Sequence, residues 1–311
     1  MGSPSANADQ PGAPGPPEAT ADAGLPRVGF VGAGRVGTAL AVALHRAGWP
    51  VTAVASRDAG RRDRLAALVP GARAFAEPQA VLDQADLLLL TVPDDAIAPV
   101  VAELRLYSGQ AIVHTSGVLP ASVLAPAMAA GTEAGSFHPL VAFADLDAAL
   151  AALPGSVVAI EGDEALLPLL AQLAVALGAR PVRVTASGKP LHHAAAVLAA
   201  GGLVSLLDVV AGLGAAAGLS PRDALDVYLG LARQGIDNAQ QFGPPGALTG
   251  PFVRGDIGTV RAHLAALRRF APEALPVYAA LGMRAVRIAA ARGDLAPDRA
   301  VELEALLGRG G

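Results

Sequence analysis

The chain has 311 residues, 53% of them apolar, and a net charge of −4 at pH 7. It has no cysteine, which excludes disulfides, zinc-thiolate sites and thiol nucleophiles, and it suits a reducing compartment such as the cytoplasm. The small acidic excess and the lack of a long basic run argue against nucleic acid as the main partner. The length suits two domains.

Residues 1–24 consist of Pro, Ala, Gly and small polar residues, and this composition predicts a disordered tail without signal-peptide character. From Arg27 onward, strand and helix patterns alternate. We predict a nucleotide-binding domain over residues 25–186 and a helical domain over residues 187–311, which would bind substrate or form a dimer.

The first strand, predicted at Val28–Val31, leads into a glycine-rich turn and then a helix. Gly32, Gly34 and Gly37 have the G-x-G-x-x-G spacing, and a second strand at Val51–Ala55 follows at βαβ distance. In this pattern the first glycine permits a tight turn, the second lets a pyrophosphate approach the backbone, and the third allows close helix packing. We therefore predict a dinucleotide site. An ordinary glycine turn is the alternative, because the chain has 36 glycines.

The end of the second strand indicates which dinucleotide is bound. An NAD site would carry an acidic residue here, but the chain carries Ser56 and Arg57, with Arg61 and Arg62 on the following helix. These residues suit a 2′-phosphate. Asp58 is adjacent, but we expect it to cap the helix. The sequence therefore predicts NADP(H).

Further strands are predicted at 73–75, 87–92, 111–115, 156–160 and 181–184. The run Leu87–Val92 is typical of a buried sheet centre, and it ends at the edge where ligands bind. The predicted fold is an α/β Rossmann-type domain followed by an all-helical C-terminal domain. The predicted cofactor-binding residues are Gly32, Ala33, Gly34, Arg35, Val36, Gly37, Ser56, Arg57, Val92 and Pro93.

After Ser187 the pattern is helical as far as Leu307. The most apolar stretch, Ala194–Leu219, is long enough to span a membrane and contains only two polar residues, Ser205 and Asp208. A charge in mid-span would be costly in lipid. We therefore expect a buried helix of a soluble helical domain, and no membrane partner.

Lys189 is the one lysine among the 23 basic residues. A desolvated ammonium donates a proton near neutral pH, whereas a guanidinium does not, so Lys189 is predicted to be catalytic. The alternative is a chance survivor in an arginine-rich composition. His193 lies four residues later on the same helix face and is predicted to act with it. For His192, a site role and a solvent-facing position stay open.

Two other candidates follow strand patterns. Ser116 comes directly after a predicted strand, and His138 lies in a Ser-Phe-His-Pro segment whose proline fixes the backbone. Both are predicted to be catalytic. His114 is expected to be a packed core residue.

Two residues of the helical half are predicted to bind substrate. Arg254 would hold a carboxylate bidentately, or it would pair with Asp256 as a loop staple. Asn238 is the other candidate. No group of His, Asp and Glu has metal-ligand spacing, and Ser116 lacks a nucleophile-elbow sequence, so neither a metalloenzyme nor a hydrolase is predicted.

Five segments together carry a resemblance to a known family: Gly32–Gly37, Thr91–Asp94, Gly135–Pro139, His193–Ala196 and Leu248–Asp256. From about Arg27 to the C-terminal helices the chain resembles bacterial Rossmann-like proteins with a domain of unknown function, type 2520. That family is similar to 6-phosphogluconate and β-hydroxyacid dehydrogenases, pyrroline-5-carboxylate reductase and ketopantoate reductase. The resemblance implies a Rossmann domain, a helical second domain and a homodimer.

The resemblance also implies site residues. In the hydroxyacid dehydrogenases and ketopantoate reductases, a catalytic lysine begins the first long helix of the second domain, and Lys189 matches it by position. His193 stands where those enzymes have an asparagine. Gly201 and Gly202 stand where the 2520-type family often has one.

The implied function is an NADPH-dependent reductase of a small oxo or imino acid, with a ketopantoate-like substrate as the leading candidate. In that reading Lys189 polarises the substrate carbonyl and supplies the proton. The alternative is a non-catalytic, redox-responsive NADP(H)-binding protein.

Overall fold

The computed structural model describes residues 24–220 and 222–308. All but the last residue of the predicted N-terminal tail lies outside the described residues. The chain divides into two compact units, the first ending at His193 and the second beginning at Ala194. The boundary predicted from the sequence, at 186/187, lies a few residues earlier. The two units are described separately.

The first unit is built on one eight-stranded sheet. Its strands are β1 (Val28–Val31), β2 (Val51–Ala55), β3 (Arg73–Phe75), β4 (Leu87–Leu90), β5 (Ala111–His114), β6 (Glu133–Pro139), β7 (Val157–Gly162) and β8 (Arg180–Arg183). The order is β3-β2-β1-β4-β5-β6-β7-β8, and neighbours are parallel except for the antiparallel pair β6 and β7. The order of β1 to β5 is that of the doubly wound nucleotide-binding folds. The predicted fold class is therefore confirmed, and β6 is an additional strand.

Seven helices cover this sheet: α1 (Arg35–Arg46), α2 (Ala59–Leu68), α3 (Pro78–Leu82), α4 (Asp94–Glu103), α5 (Ala125–Ala129), α6 (Leu146–Ala152) and α7 (Leu167–Ala176). Side chains alternate across a strand, so Leu87 and Leu89 pack into one core cluster and Leu88 and Leu90 into the other. Burial on both faces explains the unbroken leucine run of β4.

The glycine turn after β1 is locked to the end of β4. Gly32 has a φ of +110°, a conformation that favours glycine, and its carbonyl accepts a hydrogen bond of 2.7 Å from the Thr91 hydroxyl. A Cβ on Gly37 would collide with the Gly32 carbonyl and with Thr91 Oγ1. The predicted role of Gly37, close packing of helix against turn, is confirmed.

The helix α8 (Lys189–Val197) begins at the end of the first unit, and a π-helical segment, Leu198–Gly202, continues it into α9 (Leu203–Ala216). The other helices of the second unit are α10 (Asp223–Ala247), α11 (Pro251–Arg254), α12 (Ile257–Phe270), α13 (Leu275–Arg292) and α14 (Pro297–Gly308). The core of this unit includes Val260, Leu264, Val286 and Leu303. The predicted helical character of the second half is confirmed.

The prediction that the apolar stretch after Lys189 is a buried helix is wrong for the single chain. Within α9, which is described throughout, only Gly214 is buried. By length and composition alone, two helical stretches of the described chain, 186–216 and 272–292, would be long and apolar enough to cross a membrane. The apolar composition indicates that this helix packs against another apolar surface, but it does not show whether that surface belongs to the same chain. Here α10 packs against α9 and leaves most of its surface open.

The contact of Gly37 with the turn gives a stability prediction. We expect Gly37→Ala to lower the free energy of unfolding by about 1–3 kcal/mol, because the new methyl group displaces backbone and Thr91. Gly34→Ala is the matched control, since a Cβ there meets no atom within 4 Å and Gly34 has a negative φ of −77°. Denaturant unfolding of the three proteins measures this difference. Equal stability of the two variants would contradict the packing described.

Candidate active site

A cleft of about 1210 Å³ lies along the ends of β1, β2, β4, β5 and β6. In an open α/β sheet, ligands bind at this carboxyl edge. Nine of the ten predicted cofactor-binding residues line the cleft, and the tenth, Gly37, packs beneath the turn. Of the predicted catalytic residues, Ser116, His138 and His193 line it. Lys189 does not.

The glycine turn and the start of α1 form one wall of the cleft. The helix begins at Arg35 with no acidic residue in its first turn, and no side chain caps it. The space beside Gly34 is open. Free N–H groups at a helix start bind phosphate, so this wall fits the pyrophosphate of a dinucleotide.

The residues predicted to bind the 2′-phosphate of the ribose lie along a second wall. Ser56, Arg57 and Arg61 line the cleft. The Asp58 carboxylate accepts a hydrogen bond of 3.0 Å from the backbone N–H of Arg61, which confirms its predicted role as a helix cap. Its second oxygen lies 3.2 Å from the Arg61 guanidinium. Asp58 is therefore engaged with its own helix, and the hydroxyl and guanidinium groups at this wall fit a 2′-phosphate.

At the far end of the cleft, two imidazoles close over a glycine. The ring centroids of His138 and His193 are 5.5 Å apart, and those of His138 and His192 are 6.0 Å apart. A Cβ on Gly117 would lie 2.8 Å from His138 Nε2 and would collide with His193 Nδ1. The rings therefore need glycine at this position. His192 is half-buried beside them and is not a solvent-facing residue.

Lys189 lies directly behind this end of the cleft. Its side chain is 1% exposed, and Nζ donates hydrogen bonds to Ser136 Oγ at 2.8 Å and to the Ser116 carbonyl at 3.1 Å. Burial lowers the pKa of the Lys189 ammonium, while the negative charges of Glu161 and Asp94 act in the opposite direction. The structure thus brings Lys189 to the site, but it keeps the ammonium beneath the cleft surface.

His114 confirms its prediction as a packed core residue. It is fully buried, and Nδ1 accepts a hydrogen bond of 3.2 Å from the Ser116 backbone N–H. That acceptance makes Nε2 the protonated nitrogen, which donates to the Pro120 carbonyl at 3.2 Å. Burial, together with the charge of Lys189, lowers the pKa of His114 to about 4. This imidazole is therefore neutral at pH 7, in one tautomer.

His138 is neutral for a similar reason. Burial is the largest cause that lowers its pKa, and the neighbouring His193 and Lys189 are the next largest. Together they lower the pKa of His138 to about 4. Burial and the charge of Lys189 also lower the pKa of His192. Within the described residues, His138 Nδ1, His192 Nε2 and His193 Nδ1 are buried without a hydrogen-bond partner. Two of these residues, His138 and His193, line the cleft, and unpaired polar atoms in a cleft are typical of a functional site.

The structure adds two residues to the site, Ser136 and Glu161. Ser136 Oγ donates to Glu161 Oε2 at 3.1 Å, and the same oxygen accepts from the Ala121 backbone N–H at 2.8 Å. One signal in the sequence is an acidic residue placed directly after the apolar strand residues Val157–Ile160. The other is a serine two residues before His138, on the same face of β6.

The two predicted substrate-binding residues belong to the second unit. Asn238 is half-buried on α10, and Arg254 is exposed at the end of α11. Asp256 caps α12 by accepting from the Thr259 backbone N–H at 3.2 Å. Hydrogen bonding from Thr259 lowers the pKa of the Asp256 carboxyl, and the charge of Arg254 acts in the same direction. Pairing of Arg254 with Asp256 stays an alternative. Substrate binding by Arg254 and Asn238 stays a prediction.

The strand order, the glycine turn and the cleft at the carboxyl edge define a Rossmann-type dinucleotide-binding protein. A family model described as a Rossmann-like domain matches residues 14–139, and the model for the domain of unknown function DUF2520 matches residues 156–285. The chain therefore matches a Rossmann-like domain followed by a DUF2520 domain. The resemblance read from the sequence is confirmed.

Solved structures show the same fold. A protein from Bacteroides fragilis, provisionally named an NADP oxidoreductase, is 24% identical with a TM-score of 0.69, over 85% of this chain and 98% of its own. A protein from Thermotoga maritima is 24% identical with a TM-score of 0.67, over 85% and 99%. A reductive aminase from Aspergillus terreus, in complex with NADPH and ethyl levulinate, is 20% identical with a TM-score of 0.65, over 92% and 99%. None of the curated proteins matches this chain.

Proposed function

We propose that this protein is an NADP(H)-dependent reductase that acts on a small oxo or imino acid. The observation that carries the proposal is one cleft with a phosphate-binding wall at one end and two imidazoles backed by a buried ammonium at the other. Similar folds in an NADP oxidoreductase and in a reductive aminase crystallised with NADPH support it. When bound, NADPH supplies the hydride.

The cofactor would lie along the cleft from the ribose-reading wall to the histidines. The N–H groups at the start of α1 hold the pyrophosphate, and Gly34 leaves room for it. Ser56, Arg57 and Arg61 hold the 2′-phosphate.

We assign the contact with substrate to His138 and His193, because both line the cleft and Lys189 does not. An imidazole N–H polarises a carbonyl or imine nitrogen by hydrogen bonding. The Lys189 charge, held just behind, stabilises negative charge that develops on the substrate. This electrostatic role replaces the direct proton donation expected from the sequence.

Ser116 shapes the floor of this site. Its hydroxyl oxygen accepts hydrogen bonds from the backbone N–H groups of Leu119 at 3.1 Å and Val118 at 3.3 Å, and its carbonyl accepts from Lys189. These bonds fix the loop that carries Gly117. The Lys189 charge behind the cleft, together with the hydrogen-bonding imidazoles that line it, favours an anionic substrate, and a ketopantoate-like 2-oxo acid is the leading candidate.

The NADP(H) preference is tested at Arg57. We expect Arg57→Ala to weaken NADPH binding roughly 10- to 100-fold, the scale of a charge-assisted hydrogen bond, and to leave NADH binding nearly unchanged. Arg64→Ala is the control, because Arg64 lies on the same helix but does not line the cleft. Fluorescence titration with each nucleotide measures both affinities. Equal binding of NADH and NADPH by the wild type would refute the preference.

The two adjacent histidines test the catalytic assignment. We expect His193→Ala to lower kcat by about 10²–10⁴-fold, the usual contribution of a positioned acid–base group, with NADPH affinity retained. His192→Ala is the matched control, since His192 does not line the cleft, and its kcat should stay within a few-fold of wild type.

These rates are measured as NADPH oxidation across a panel of 2-oxo acids, with and without an amine. Near-normal turnover by His193→Ala would remove that residue from the mechanism. A wild type that binds NADPH but oxidises none in the whole panel would favour the non-catalytic, redox-responsive alternative.

We also propose that the chain forms a homodimer through the second unit. Large apolar side chains of α9 and α10 are exposed, among them Val204 at 68% and Leu231 at 67%. Exposed apolar surface of this extent marks an interaction site. The carboxylate of Asp208, in the middle of α9, disfavours lipid as the cover, so a second copy is the proposed occupant.

Substitution by a charged residue tests the dimer. We expect the wild type to sediment as a dimer and Val204→Glu or Leu231→Glu as monomers, because each buries a carboxylate in the interface. Val175→Glu is the control, since Val175 is 64% exposed but lies on α7 of the first unit. A monomeric wild type would contradict the proposal, and a wild type recovered only in detergent would favour a membrane as the cover.

A further inference from the structure

The Lys189 ammonium is linked to a carboxylate through one hydroxyl group. Lys189 Nζ lies 2.8 Å from Ser136 Oγ, and Ser136 Oγ lies 3.1 Å from Glu161 Oε2. Lys189 and Ser136 are both buried, with exposed fractions of 1% and 0%. A hydroxyl has one proton, so Ser136 donates to the carboxylate and turns its lone pairs toward the ammonium.

The backbone fixes the position of Glu161. It lies directly opposite Ser136 in the antiparallel pairing of β6 and β7, so their side chains share one face of the sheet. Its Oε2 also accepts the backbone N–H of Ala121 at 2.8 Å. The carboxylate is therefore held by two donors from different segments.

Several charged or titratable groups face Lys189. Carboxylates of Glu161 on β7 and Asp94 on α4 favour its charged form. Burial opposes them. Four imidazoles also lie near this ammonium, those of His114 on β5, His138 on β6, and His192 and His193 on α8. A buried ammonium in such surroundings keeps its proton only with a paired negative charge. Within this group, Glu161 is the carboxylate joined to Lys189 through a hydrogen-bonded side chain.

We propose that Glu161 is a positioning residue that acts through the Ser136 hydroxyl to hold the Lys189 ammonium, in its charged form, against the Ser116 carbonyl. A role of this arrangement in catalysis rests on the proposed reductase function. The effect of Glu161 on the protonation of Lys189 can be measured whether or not the protein turns over a substrate.

The chain offers a direct measurement because Lys189 is its only lysine. Lysine labelled at the ε-carbon gives one side-chain NMR signal, and its pH titration reports the pKa of this ammonium in the intact protein. Glu161→Gln replaces the carboxylate with an amide, whose oxygen still accepts hydrogen bonds but carries no charge. We expect it to lower the midpoint of the Lys189 titration by about one unit or more. That shift is a tenfold loss of proton affinity.

Asp163→Asn is the matched control. Asp163 follows the same strand, and its Oδ2 accepts the backbone N–H of Ala134 at 2.8 Å, but it makes no hydrogen bond with Ser136 in the described structure. The Lys189 midpoint in Asp163→Asn should equal that of the wild type. Ser136→Ala should also lower the midpoint, and Glu161→Gln should have a smaller effect in that background than alone.

The result that would overturn the proposal is a Lys189 midpoint unchanged by Glu161→Gln, or lowered equally by Asp163→Asn. A Ser136→Ala variant with the wild-type midpoint would likewise remove the hydroxyl from the device. Circular dichroism verifies that each variant is folded, and Ser136→Ala alone decides the matter if Glu161→Gln does not fold. If the Lys189 midpoints of the variants shift as expected but the wild type does not oxidise NADPH, the proposed function is overturned and this proposal is not.

Discussion

The site depends on one buried charge. Burying an ammonium costs several kcal/mol unless hydrogen bonds and an opposite charge accompany it, and three neighbouring strands of the sheet supply both to Lys189. The Ser116 carbonyl follows β5, Ser136 lies in β6 and Glu161 lies in β7. The positive charge in turn helps to lower the pKa of His114 and His138 to about 4. The His138 imidazole, which lines the cleft, is therefore neutral and acts there as a hydrogen-bonding group without a charge.

The other end of the cleft depends on close approach of backbone to backbone. Because Gly37 has no side chain, α1 packs onto the Gly32 carbonyl and the Thr91 hydroxyl, and the helix start faces the cleft. The position of the glycine turn thus depends on close backbone packing, whereas the position of Lys189 depends on its hydrogen bonds and on the charge of Glu161. The sheet sets the distance between them, as expected for a ligand as long as a dinucleotide.

Local patterns in the sequence were sufficient for much of this description. Seven of the eight strands, the tight packing at Gly37, the Asp58 cap and the core position of His114 each follow from a few neighbouring residues, whereas β6 was not predicted as a strand. The depth of Lys189 could not be predicted, because residue type reports chemistry but not accessibility. The role of Glu161 could not be predicted from the sequence, because its contact with Ser136 joins residues 25 positions apart on two strands. The exposure of α9 was mispredicted because an apolar helix does not specify whether its own chain covers it.

The central claim is that this cleft carries hydride transfer and not cofactor binding alone. The most direct measurement uses NADPH deuterated at C4 of the nicotinamide, incubated with the protein and a 2-oxo acid or the imine formed from it, and follows the label into the product. The account predicts saturable NADPH oxidation with deuterium on the carbon that was the carbonyl or imine carbon. Tight NADPH binding with no labelled product from any member of the panel would contradict it.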